Sequence, residues 1–286
     1  MRLSVQLLGT GGPRPDPRRC GPATLIRVGD EPILFDVGRG AVVQLVRAGI
    51  PLERVRHLFI THHHFDHIGD LYDLALNTWM AGRREPLRIF GPPETRRIAN
   101  ALLTQVYDKD IEWRSDGEPS FGGWAPVEAT DVGTGLVHEA LDWRVHADTV
   151  VHGHGLDLSP AFLKRWICYG YRFEHAGRVI AVSGDTVDCG GLQRLARDAD
   201  VLVQCCLLAG PEIRGEHFER LAKMTLACGD TVGKIATAAN VKTLVLTHHR
   251  PRADDTMIER LREEVSRDFK GRLVIARDLD EIVVDD

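Results

Sequence analysis

The decapeptide THHHFDHIGD, residues 61–70, decides how this chain is read. It sets His62, His64, Asp66 and His67 within six residues, directly after the apolar run Val55 to Ile60, which reads as a strand. Two imidazoles one residue apart can point the same way from an extended or tightly turned backbone. Asp66 and His67 add a carboxylate and another imidazole where a helix should start. Imidazole nitrogen with carboxylate oxygen is borderline-soft coordination, suited to zinc and open to iron or manganese. Burying so many titratable groups without an ion would require a separate partner for each. The pattern therefore reads as a metal site rather than a surface histidine cluster.

Outward from this stretch, three more strand ends carry the same donor types. Trp143 to Val151 ends in His152, with His154 as a rival in the run HGHG. Arg178 to Ser183 delivers Asp185 after Gly184, a residue that permits a sharp turn. Thr243 to Leu246 leads to His248. Four strand ends of this kind would form a metal cleft at one edge of a sheet sandwich. His63 and His249 each neighbour a better-placed donor and read as residues that support the ligands from behind or pack, not as ligands. Asp36, at another strand end, reads equally as a carboxylate that orients an imidazole or as a local turn cap. Gly9, Gly11 and Gly12 miss the dinucleotide-binding spacing, and Pro13, Pro15 and Pro17 forbid the helix such a site needs.

Composition narrows the class. Of 286 residues, 43% are hydrophobic and 27% charged, which fits a soluble globular enzyme and not a disordered scaffold. Lys+Arg at 36 against Asp+Glu at 41 gives a net charge of −5, so a strongly basic nucleic-acid binder is not the default. No run approaches the ~20 apolar residues of a membrane span. The start, MRLSVQLLGTGG, reads as a first strand rather than a signal peptide. Six scattered cysteines without a CxxC pair read as reduced, mostly buried thiols, and the expected location is cytoplasmic. Strands come in runs with helices interspersed and no linker divides them. The expectation is one α/β domain over residues 1–286, with insertions around 108–135, 153–166 and 207–228. Apolar spacing predicts helices over Ile68 to Met80 and from Pro93 through Val106, while Asp108 to Gly135 resists reading.

At this point the chain resembles the metallo-beta-lactamase fold hydrolases, in particular the branch of tRNase Z and arylsulfatase-like enzymes. The pattern H-x-H-x-D-H appears as His62 to His67. GTGGP at 9–13, LFDVGRG at 34–40, YGYRFE at 169–174, SGDT at 183–186 and LVLTHH at 244–249 accompany it in order. The resemblance implies an αββα four-layer sandwich with two divalent metal ions, zinc favoured over manganese or iron. His62, His64 and His152 would hold the first ion, Asp66, His67 and His248 the second, and Asp185 would bridge them. A hydroxide between the ions would be the nucleophile, which makes Asp66 part of the catalytic centre. A homodimer is the family expectation.

Departures from that branch shape the substrate expectation. Relatives with tRNase Z activity carry a His-Ser/Thr element before the helix that precedes the last metal histidine, and here Leu226 and Cys228 fall at those places. His217, in RGEHF, is the candidate replacement as leaving-group acid. The interval from His152 to Asp185 is too short for a protruding tRNA-binding arm. With the acidic balance, these features point to a small-molecule substrate and disfavour nucleic acid. The expected bond is an aryl sulfate, phosphodiester or lactone, in a pocket for an aryl or apolar leaving group lined by residues such as Trp79, Trp166 and Phe218. The alternatives are tRNase Z-like 3′ processing of tRNA and β-lactam or amide hydrolysis. A non-enzymatic metal-binding module ranks last, because it would have little reason to keep all seven metal positions.

Overall fold

The structure is a computed structural model and describes residues 1–118, 120 and 122–284. Positions 119 and 121 of the insertion expected around 108–135, and the last two residues of the expected domain, lie outside the described residues. The chain forms two compact units. Met1–Gly9, Arg18–Val132 and the segment from Asp278 make the first; Thr10–Pro17 and Gly133–Arg277 make the second.

In the first unit, seven strands among the described residues pair in the order Glu281–Val284, Leu3–Gly9, Ala23–Val28, Glu31–Phe35, His57–Phe59, Leu87–Gly91 and Val127–Asp131. The strands up to Glu31–Phe35 pair antiparallel, and the rest pair parallel. Alternation suggests a half-buried first strand, yet every residue of Leu3–Gly9 is buried, Ser4 and Gln6 included. Leu25, Leu34, Leu58 and Leu74 belong to the core of this unit. Phe35, Phe59 and Phe90 stack across three parallel strands, with centroids 5.1 and 5.0 Å apart. That ladder pins the strand ends from which residues 36 and 61–70 depart.

The helix expected over Ile68 to Met80 is broken. A single turn, Phe65–Ile68, is followed by Leu71–Met80. The break lies at Gly69 and Asp70, where the Asp70 N–H bonds the Val37 carbonyl at 3.0 Å. The helix expected through Val106 is Thr95–Ala101, continued by a wider π-type turn over Leu102–Val106. The stretch that resisted reading holds a helix, Asp108–Gly117, with no buried residue, and the strands Val127–Asp131 and Gly135–Glu139.

The second unit repeats the plan. Its strands run in the order Arg272–Ile275, Thr243–Thr247, Val201–Cys205, Arg178–Val182, Tyr169–His175, Trp143–Thr149 and Gly135–Glu139. The first four pair parallel and the remainder antiparallel. Gly190–Ala196, Gly229–Ala238 and Asp255–Asp268 are its main helices, and Leu192, Val232 and Val265 from them are buried in one core with Leu202 and Leu244. Two short helices, Pro160–Arg165 and Glu216–Met224, fall in the expected insertions and contain no fully buried residue. Among the described residues, no helix is long and apolar enough to cross a membrane.

Candidate metal centre

In the first unit the donors sit just past the strand His57–Phe59. His62, Asp66 and His67 are buried, and His64 is exposed. The His62 Nε2 and His64 Nδ1 atoms converge to 3.0 Å, and His67 Nε2 lies 3.8 Å from Asp66 Oδ2. Asp36 orders this group. Its carboxylate accepts from the Thr61 N–H and hydroxyl, both at 2.8 Å, and from His67 Nδ1 at 2.7 Å. Because the Thr61 hydroxyl donates its hydrogen bond to Asp36, its oxygen accepts from His62 Nδ1 at 3.0 Å. With both Nδ1 atoms protonated, the lone pairs of His62 and His67 fall on Nε2, where a metal could take them. Of the two readings of Asp36, the structure takes the orienting one.

In the second unit, the donors follow the strands Trp143–Thr149, Arg178–Val182 and Thr243–Thr247. His152, Asp185 and His248 are buried. Asp185 Oδ2 lies 3.8 Å from His152 Nε2 and 3.3 Å from His248 Nε2. The Thr225 carbonyl accepts from His152 Nδ1 at 2.7 Å, which again leaves the lone pair on Nε2. His248 has φ 64°, the left-handed region that bulky residues avoid. Gly12 makes room for its ring: a Cβ there would lie 2.9 Å from His248 Cε1. Imidazole and carboxylate donors, all but His64 buried and three of the imidazoles with Nε2 left free to bind, fit divalent ions of the zinc, manganese or iron type.

The rival histidines are engaged elsewhere. His154 Nδ1 accepts from the His152 N–H at 3.1 Å, and its Nε2 donates to the Trp166 carbonyl at 3.0 Å, so both ring nitrogens are committed. His63 Nε2 donates to Thr95 Oγ1 at 2.8 Å, and burial holds its pKa below the ordinary value. His217 is exposed at the start of Glu216–Met224. Trp79 belongs to a core with Leu76 and Trp124 and donates to the Gly123 carbonyl at 3.0 Å. Burial raises the Cys168 thiol and moves Cys228 to about 12, so neither is a thiolate near neutral pH. Sequence reasoning missed Thr61 and Thr225. Thr61 adjoins the motif and could have been suspected; Thr225 acts through a backbone carbonyl, which leaves no mark on residue type.

The metallo-beta-lactamase superfamily matches residues 19–160. A protein of Mycobacterium sp. (strain KMS) named Ribonuclease Z is 34% identical over 252 residues, covering 87% of this chain and 85% of its own. The chain belongs to the metallo-beta-lactamase superfamily. It is an enzyme of this hydrolase superfamily, and its relatives fit the tRNase Z branch. A second Ribonuclease Z, from Mycolicibacterium gilvum (strain PYR-GCK), is 31% identical over 292 residues, 99% of this chain and 96% of that one. Among solved structures, the fold protein YhfI from Bacillus subtilis has a TM-score of 0.74 at 17% identity, over 99% of both chains. Human tRNase Z, short form, has 0.68 at 22%, again over 99% of each. These likenesses show the metallo-beta-lactamase fold, mixed α/β with two sheets and helices.

Two expectations are corrected by the relatives. The small-molecule ester substrate, and with it the disfavouring of nucleic acid, gives way because relatives matching 87% to 99% of the chain are ribonucleases by name. The physical flaw lies in the charge argument. A net −5 averages the whole surface, whereas phosphate contacts depend on local cations.

Proposed function

We propose that this chain is a tRNase Z-like endoribonuclease that processes the 3′ end of precursor tRNA. The observation that carries this reading is 34% identity, over most of both chains, to a protein named Ribonuclease Z. In this reading both units act as one hydrolase domain. His62, His64, His152 and Asp185 would hold one divalent ion and Asp66, His67 and His248 a second, with Asp185, 3.3 Å from His248 Nε2, able to serve both; His64 is the exposed member of the seven. Nitrogen and oxygen donors of this kind favour zinc over manganese or iron.

Two such ions, when bound, activate water at neutral pH and stabilise the attacking and leaving oxygens of an in-line displacement at phosphorus. The chain supplies the rest. Asp36, Thr61 and the Thr225 carbonyl hold protons on the Nδ1 atoms of His67, His62 and His152. Burial of His62, Asp66 and His67 keeps bulk water from competing for these donors. His217 is the proposed proton donor to the leaving oxygen, and a homodimer the proposed assembly.

The test is precursor tRNA with a 3′ trailer, run beside aryl sulfate and bis-aryl phosphate in the presence of zinc. One trailer-length product is expected, lost in Asp66→Ala. His217→Ala should lower turnover by roughly 10²-fold, the low end of general acid catalysis. Precursor that stays intact while a small ester turns over would remove the ribonuclease reading.

A further inference from the structure

We propose that the exposed ring of Phe162, backed by Trp166, is a base-stacking site for unpaired RNA, with Lys164 and Arg165 contacting phosphate. The choice of RNA as occupant rests on the ribonuclease reading. The observation beneath it is a file of rings running from the surface to His152. Phe162 and Trp166 are stacked, with centroids 5.5 Å apart and planes at 21°. Trp166 and His152 follow at 6.3 Å and 38°. Phe162 is 41% exposed, and nothing on its helix Pro160–Arg165 is buried. The helix contributes no fully buried residue to a core, and Phe162 keeps exposed surface for a planar partner.

The platform is held in place before anything binds. The Trp166 indole Nε1 donates to the His152 carbonyl at 2.8 Å, and the Trp166 carbonyl accepts from His154 Nε2 at 3.0 Å. Ser159 Oγ caps the helix by accepting from the Phe162 N–H at 3.2 Å. A pre-ordered ring loses little entropy on binding. Charge favours the same occupant. Residues 153–166 contain one acid, Asp157, and two bases, Lys164 and Arg165, in a chain whose net charge is −5. Stacked aromatics beside cations are how proteins hold single strands without reading sequence, because every base offers a π-face. A duplex hides those faces, so unpaired nucleotides near the scissile bond are the occupant.

The test compares wild type, Phe162→Ala, Phe162→Tyr and the pair Lys164→Ala with Arg165→Ala. Labelled polyuridine is titrated into zinc-loaded protein and followed by anisotropy and Trp emission, and KM and kcat are measured on precursor tRNA. Phe162→Ala should weaken both the oligonucleotide affinity and KM by roughly 5- to 100-fold, the range for one stacked base, with kcat nearly unchanged. Phe162→Tyr should restore both, and the paired Lys/Arg variant should flatten the salt dependence. Unfolding is not a concern at a ring this exposed, and a melting curve checks it. Equal affinity of wild type and Phe162→Ala would overturn the site. So would loss of a dimer in Phe162→Ala with RNA affinity unchanged, which would give this face to a second copy. If wild type leaves precursor tRNA uncut yet binds polyuridine in a ring-dependent way, the stacking site stands and the ribonuclease reading falls. Neither cutting nor ring-dependent binding removes both.

Discussion

Asp36 carries more of this site than its single carboxylate suggests. It stands at φ 59°, where a non-glycine residue costs on the order of 1–3 kcal/mol, and the strain places its oxygens against two parts of the metal motif. One oxygen meets the Thr61 N–H; the other takes both the Thr61 hydroxyl and His67 Nδ1. Through Thr61 the same residue also fixes His62. Removing it should therefore disturb two imidazoles at once. Asp36→Ala is expected to weaken metal affinity by roughly 10- to 100-fold, the usual effect of losing a partner behind a ligand. Thr61→Val should fall between it and wild type, since only the His62 branch is cut. Competition with a chromogenic chelator measures both, and far-UV circular dichroism checks that the fold survives. Wild-type affinity in Asp36→Ala would show that the imidazoles orient themselves.

At the scale of elements, the ends of parallel strands are tied together by polar groups as well as by apolar packing. Asp200, just before Val201–Cys205, accepts from the Val179 N–H at 2.8 Å, from Lys242 Nζ at 2.7 Å and from Arg178 Nη1 at 3.3 Å. Burial alone would raise its pKa, but the bonds from Lys242, Val179 and Arg178 outweigh it and hold the carboxyl below its ordinary value. A depressed folded pKa adds stability that is fully present above the unfolded value of about 3.9 and fades as pH falls through the folded one. Asp200→Asn should thus cost about 1–2 kcal/mol at pH 7, in the range of hydrogen bonds to a charged group. The gap between variant and wild type should shrink steadily below about pH 4. Urea unfolding at both pH values decides it; a gap of constant size would mean the charge is not what ties the strands. The same scale explains what the sequence could reveal. Ala23–Val28 was legible because its apolar residues end at the turn Gly29-Asp30. Asp108–Gly117 was not, since a helix that buries nothing leaves no apolar stripe. The break at Gly69 was hidden because a tertiary bond from Asp70 to Val37, not local propensity, ends the turn there. The motif at 61–70 could be read because its chemistry is concentrated in side chains, whereas the Thr225 carbonyl behind His152 could not.

For the whole molecule, the fold sets the candidate ligands beyond the C-terminal ends of strands, the place where open α/β sheets ordinarily bind their ligands. His62 to His67 follow His57–Phe59, Asp185 follows Arg178–Val182, and His248 follows Thr243–Thr247. The proposed ligands span residues 62 to 248, so ions joining them would close long stretches of chain. Loop closure over such lengths is unfavourable in the unfolded state, and metal held only by the folded chain shifts the equilibrium further by mass action. Gently purified protein should therefore contain about two equivalents of divalent metal per chain, as two sites of this donor type would bind. Chelation should lower Tm. At ~100-fold excess of ion over Kd, each site contributes about 2.7 kcal/mol, and a chain of this size shifts by roughly 2–4 °C per kcal/mol. A fall of roughly 5–10 °C per site follows, recovered by added zinc. Asp66→Ala should retain about one equivalent and lose one site's share of the stabilisation, about half of the two-site total, because the ligands proposed for the first ion, His62, His64, His152 and Asp185, are untouched. Elemental analysis and scanning calorimetry on the same samples test both parts. Protein that holds no metal after zinc loading, with a Tm indifferent to chelator, would dissolve the binuclear site and leave the two donor groups as buried polar clusters of their own units.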